Sequence, residues 1–111
     1  MRDKHEFYYI AGLLEGEGSF GFYSGPTIQI YMTDYEPIRR LRHYMKADVA
    51  IRNRKNYSTS QLCKKTQYIF RVHGSLAIQW MMTIYPLMSP RRKEQIRNVI
   101  TSWKLGRKQV A

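Results

Sequence analysis

Near the start of the chain two carboxylates, Glu15 and Glu17, alternate with Gly16 and Gly18 behind the run Ile10-Ala11-Gly12-Leu13-Leu14. The run mixes small residues, which allow close contact with a partner, with apolar residues at helical spacing. Gly16 and Gly18 form helix poorly and end it well, so the carboxylates arrive where the helix must stop. An acid pinned at the foot of a tightly packed helix can ligate a metal, and Glu17 is the stronger candidate. No competing centre can be assembled. Cys63 and His73 have no second Cys or His at zinc-ligand spacing, and no P-loop, histidine cluster or Ser-His-Asp set is present. His5, His43 and His73 read as surface or strand residues, Met81, Met82 and Met88 as core fillers, and Trp80 and Trp103 as packing residues.

The elements that must position this acid follow from periodicity. Glu6 to about Gly16 reads as a first helix. Ser19 to Tyr23 and Thr27 to Thr33 alternate with a period of two around the turn Ser24-Gly25-Pro26, which predicts a hairpin. Thr33 or Asp34 caps a second helix, with Glu36 and Pro37 in its first turn, running to about Met45. Ala47 to Lys55 and Lys65 to His73 alternate again around a polar loop and make a second hairpin. Gly74-Ser75 opens a third helix, Pro86 to Pro90 interrupts, and Arg91 to about Trp103 is a fourth, followed by a frayed basic tail at 104–111. The order predicts an α+β fold, αββαββα with one further helix. Its two hairpins form one antiparallel four-stranded sheet, covered by helices on one face.

At 111 residues the chain makes one domain, 1–111, with 43% hydrophobic and 14% aromatic residues, as a folded protein requires. Nineteen Lys and Arg against eight Asp and Glu give a formal charge of +11, which attracts polyanions, nucleic acid first. An anionic membrane is a poorer partner, because no basic amphipathic helix with exposed bulky apolar residues stands out. No apolar run reaches the roughly 20 residues of a membrane span. With Cys63 as the single cysteine, no internal disulfide forms, and an intracellular, reducing compartment is expected.

If Phe20, Phe22, Ile28, Ile30, Met32, Val49, Ile51, Tyr68, Phe70 and Val72 face the helices, the opposite sheet face is fixed. It carries Ser19, Gly21, Tyr23, Thr27, Gln29, Tyr31, Thr33, Ala50, Arg52, Arg54, Gln67, Ile69 and Arg71, and no carboxylate. Arginine can donate twice to guanine and glutamine to adenine, while tyrosine and threonine adapt. Such a ribbon can lie in a major groove, with Lys46, Lys55, Lys64 and Lys65 near the turns for phosphates.

Ile10 to Gly18 resembles the LAGLIDADG motif of homing endonucleases, with Leu-Glu for Ile-Asp, Gly16 for the second Ala and Glu17 for the final Asp. The following Ser19-Phe20, the element order, the segment Ala50-Ile51-Arg52-Asn53-Arg54 and the late basic stretch Pro86 to Gln95 extend the resemblance over nearly the whole chain. The resemblance implies that two motif helices pack side by side, here through Ala11, Gly12, Leu14 and Gly16, each delivering one acid to the floor between two sheets. A chain with a single motif then works as a homodimer on a near-palindromic double-stranded DNA site. It further implies that Glu17 and the Gly18 carbonyl hold a divalent cation, Mg²⁺ foremost, for a staggered double-strand break. Arg91 matches the family's late basic residue best, with Arg92 and Lys93 as neighbours, and Thr33 or Asp34 matches the polar residue that orders the attacking water. Here the chain departs from the common pattern of Gln and Lys at these places, and arginine cannot relay a proton as lysine can. Glu15 corresponds to the motif's structural acid. A binding protein on the same scaffold is the alternative, either a maturase of intron RNA or a DNA-binding regulator. The acid at Glu17 favours the nuclease, since a carboxylate repels the phosphate of a ligand that is only bound.

Overall fold

A computed structural model of the chain describes residues 4–54 and 65–110. The elements are α1 (Lys4–Glu17), β1 (Ser19–Phe22), β2 (Pro26–Met32), α2 (Tyr35–Met45), β3 (Asp48–Arg54), β4 (Lys65–His73), α3 (Gly74–Ile84), a 3-10 turn (Tyr85–Leu87) and α4 (Pro90–Val110). The strands form one four-stranded sheet in the order β1-β2-β4-β3, antiparallel throughout. This is the expected α+β layout: each hairpin follows a helix, and the helices cover one side.

Alternation decides which side. Ile28 stands opposite Val72, Ile30 opposite Phe70 and Phe20 opposite Ile28, all with their side chains on the helix-covered face. Ile10 and Leu14 of α1, Ile38, Leu41 and Met45 of α2, Met81 and Ile84 of α3, and Ile96 of α4 close over them. The apolar positions recur every three or four residues along each helix, which turns one stripe inward. An ion pair secures α1 to α2: the Arg40 guanidinium donates to Glu6 at 2.6 and 2.9 Å and lies 3.5 Å above the Tyr9 ring. This contact holds the Glu6 carboxyl below the usual carboxylate range.

The boundaries differ from expectation where caps outweigh propensity. Helix α1 continues through Gly16 to Glu17 and stops at Gly18, whose N–H donates to the Leu14 carbonyl at 3.0 Å. A Cβ at Gly18 would stand 2.6 Å from that carbonyl oxygen, so only glycine lets the strand leave so close to the helix. The first hairpin turns through Tyr23-Ser24-Gly25, with positive φ at Ser24 (57°) and Gly25 (134°), so Tyr23 lies in the turn, outside β1. Asp34 caps α2, its Oδ1 accepting from the Glu36 N–H at 3.2 Å. The tail expected to fray is helical to Val110. Lys104, Leu105, Arg107, Lys108 and Gln109 are good helix formers. Among the described residues no helix is long and apolar enough to cross a membrane.

Phe70 is fully buried where β4 meets the helix layer. Phe70→Ala is expected to cost about 3–5 kcal/mol, a large share of the roughly 5–15 kcal/mol that holds a domain folded. Urea unfolding followed by circular dichroism reads this as a lower midpoint at an unchanged slope.

Candidate nucleic-acid interface and metal centre

The uncovered sheet face is organised in rows that cross the strands. Gly21, Thr27 and His73 form one row, and Ser19, Gln29, Arg71 and Asp48 the next. Tyr31, Ile69 and Ala50 form a third, followed by the pairs Gln67–Arg52 and Lys65–Arg54. Arg71 is exposed and donates from Nε to Gln29 Oε1 at 3.2 Å, which steadies the guanidinium plane across two strands. Tyr31 is exposed, and Ser19, Gln29 and Gln67 are half-buried. The backbone of Arg52 and Arg54 places both on this face; their side chains, with Lys55 and Lys64, lie outside the described residues.

Two expectations for this face are corrected. Thr27 is buried rather than presented: its hydroxyl donates to the Gly25 carbonyl at 3.1 Å and lies 3.4 Å from His73 Nδ1, so it holds the hairpin turn. Tyr23 reaches the face by folding back from the turn, its ring so close over Gly21 that a Cβ there would meet it at 2.6 Å. His73, exposed at the start of α3, joins the face; carrying the alternation of β4 to its end would have included it.

The acidic end of α1 lies at the sheet margin, because α1 runs straight into edge strand β1. Glu17 is exposed there, with buried Gly18 behind it. Glu15 points elsewhere. Its Oε1 accepts from the Ser89 N–H at 2.8 Å, just ahead of α4, and this bond holds its carboxyl below the usual carboxylate range, helped by Arg92 and Arg91. Arg92 completes the junction. It is 7% exposed, donates from Nε to the Glu15 carbonyl and from Nη1 to Gln95 Oε1, both at 2.9 Å, and lies 5.6 Å from the Phe20 ring centroid. Burial and neighbouring Arg91 lower its pKa, against the pull of Glu15. Arg92 is therefore spent on structure, while Arg91 beside it is exposed and Lys93 sits 5.5 Å from the Tyr85 ring centroid. Thr33 and Asp34 are exposed just past β2, with Asp34 engaged as the α2 cap.

Of the residues expected to pack against a second copy, Ala11 and Leu14 instead fill this chain's own core, at 3% and 0% exposure. Gly12 and Gly16 do face outward, with open space above each, on a stripe shared with exposed Tyr8. The Glu17 carboxylate and the Gly18 carbonyl are oxygen groups of the kind that suits a hard divalent ion. Among the described residues no three His, Cys, Asp or Glu stand together as a ligand set.

With this geometry in place, the architecture matches an archaeal intron-encoded homing endonuclease, I-Vdi141I, whose structure was solved in complex with DNA. The match has a TM-score of 0.55 at 16% identity, covering 83% of this chain and 62% of that one. The fold is homing-endonuclease-like. The chain spans less than two thirds of that neighbour's length. No protein-family model matches the sequence, and no curated protein is similar to it.

The Glu15 junction makes a prediction with a defined sign. A carboxyl whose folded pKa is lowered adds stability above its unfolded pKa of about 4.3, and that stability is lost as pH falls through the lower folded value. Glu15→Ala should cost about 1.5 kcal/mol near pH 7, the figure for a hydrogen bond to a charged group. The gap to the wild type should close below pH 4 in parallel thermal melts.

Proposed function

We propose that this chain is one half of a DNA endonuclease that acts as a homodimer and cuts a near-palindromic duplex in a metal-dependent, staggered double-strand break. The observation that carries the reading is the position of Glu17. It is an exposed acid at the end of α1, on the margin of a sheet whose open face presents Arg71 and Gln29 and carries Arg52 and Arg54 in register. A face of this kind is attracted to a polyanion, and its arginines and glutamine are suited to base edges in the major groove. A lone carboxylate beside bound phosphate is unfavourable unless a cation stands between them.

Glu17 and the Gly18 carbonyl would hold a divalent cation, Mg²⁺ foremost, together with their symmetry mates and the phosphate oxygens. The cation supplies an acidified water and stabilisation for the leaving 3′-oxygen. The chain's own residues do the rest. Arg91 offsets the charge that builds on the phosphorus oxygens, its place fixed by the adjacent Arg92–Glu15 junction. Thr33 orders the attacking water, since the Asp34 carboxylate is already committed to Glu36. Gly12 and Gly16 let a second α1 approach almost to the backbone, which brings two half-sites together.

Purified protein incubated with a randomised duplex library should cut one near-palindrome with Mg²⁺ and nothing with EDTA. Glu17→Gln should lower the single-turnover rate at least about a hundredfold, roughly 2.7 kcal/mol of barrier, while duplex binding in Ca²⁺ persists. Wild-type cutting by Glu17→Gln would sink the mechanism, and a monomer on DNA would sink the shared site. Binding without cutting would move the chain to the regulators or, with intron RNA as the ligand, to the maturases.

A further inference from the structure

An antiparallel sheet face that meets water is normally polar, and most rows of this one are. The row Tyr31–Ile69–Ala50 breaks the rule at the centre of the face. It lies between the Gln29–Arg71 row and the Gln67–Arg52 row, and its only polar atom beyond the backbone is the Tyr31 hydroxyl. Ile69 is 8% exposed, its register partner Tyr31 is 44% exposed, and exposed Ala50 is the shortest side chain beside them. The result is a shallow apolar step among hydrogen-bonding groups.

We infer that this row receives the C5-methyl group of a thymine in the major groove, beside a guanine read by Arg71. The inference rests on the DNA-reading role proposed above and adds to it the bases that the centre of the face selects. The thymine methyl is the one apolar group that a standard base pair displays in the major groove. A short residue at Ala50 lets the base edge come close, and Ile69 then covers the methyl. The neighbouring Arg71, steadied by Gln29 at 3.2 Å, suits guanine O6 and N7. Rows two residues apart are separated by about 6.6 Å along a strand. Successive bases rise about 3.4 Å, so the guanine and the thymine should lie two base pairs apart in each half-site.

The test uses the full chain and duplexes selected for binding from a randomised library in Ca²⁺, so that cutting plays no part. Each selected thymine is then replaced by deoxyuridine, which lacks only the methyl, and affinity is read by fluorescence anisotropy. One thymine in each half-site, two base pairs from a guanine, should respond with about a fourfold loss, the ratio for burying one carbon at ~0.8 kcal/mol. Ala50→Asn, at an exposed position that leaves the core untouched, should equalise thymine and deoxyuridine there and turn the preference toward adenine. Arg71→Ala should erase the guanine preference while the methyl effect remains. A selected site with no position sensitive to the methyl overturns the inference and leaves the DNA-reading role intact. So does an Ala50→Asn protein that still tells thymine from deoxyuridine. Selection that yields no sequence preference overturns both. If Ala50→Asn changes self-association and leaves base preference alone, the row belongs to a protein contact and the inference falls.

Discussion

The passage from α1 to β1 at Gly18 governs where everything else in the candidate site can be. The helix ends with the Gly18 N–H on the Leu14 carbonyl, and the strand starts one residue later, a step too tight for any side chain at that position. Leu14 is itself fully buried, so the turn is anchored to the core and cannot drift. From the other side, Glu15 and Arg92 tie the same last turn of helix to the start of α4 by two hydrogen bonds. Glu17 is thus an exposed side chain on a backbone fixed from two directions. The metal-binding role proposed for Glu17 would need that combination, because affinity depends on oxygens held in place before an ion arrives.

The two faces of the sheet solve opposite problems with the same strands. The inner face buries aliphatic and aromatic groups against the helices and supplies the stability. The outer face, apart from buried Thr27 and Ile69, is left uncovered by the helices. A period of two makes the division strict: moving any strand by one residue would exchange Phe70 for Arg71 in the core. The β2–β4 register, with Ile30 opposite Phe70 and Gln29 opposite Arg71, sets both faces at once. Exposed residues of the outer face, such as Tyr31 and Arg71, can therefore vary without disturbing the core.

Much of this was legible in the amino-acid sequence, because alternation and helical spacing are strong signals where side chains separate cleanly into two classes. The hairpins, the Asp34 cap and the helix order all follow from such patterns, and so does the inward placing of Phe20, Ile28, Ile30, Phe70 and Val72, whereas Phe22, expected among them, is exposed at the end of edge strand β1. What escaped was decided by contacts across the chain. Nothing local distinguishes Arg92 from Arg91, yet one is buried against Glu15 and Phe20 and the other is exposed. Thr27 looked presented by parity, but the hairpin turn and His73 enclose it. Ala11 and Leu14 shared a motif with Gly12 and Gly16, and only the three-dimensional packing of α1 separates the inward pair from the outward one.

The outward glycines of α1 have a thermodynamic side. In a helix each costs about 1 kcal/mol relative to alanine, and in the isolated chain Gly12 and Gly16 gain no packing in return. The helix that carries Glu17 is therefore weaker in a lone protomer than its buried face would allow. A second copy covering that stripe would recover the loss, and mass action would then make the stability of the helix depend on protein concentration. At low copy number such a chain would stay unpaired, and the cost of its two uncovered glycines would remain in that one helix.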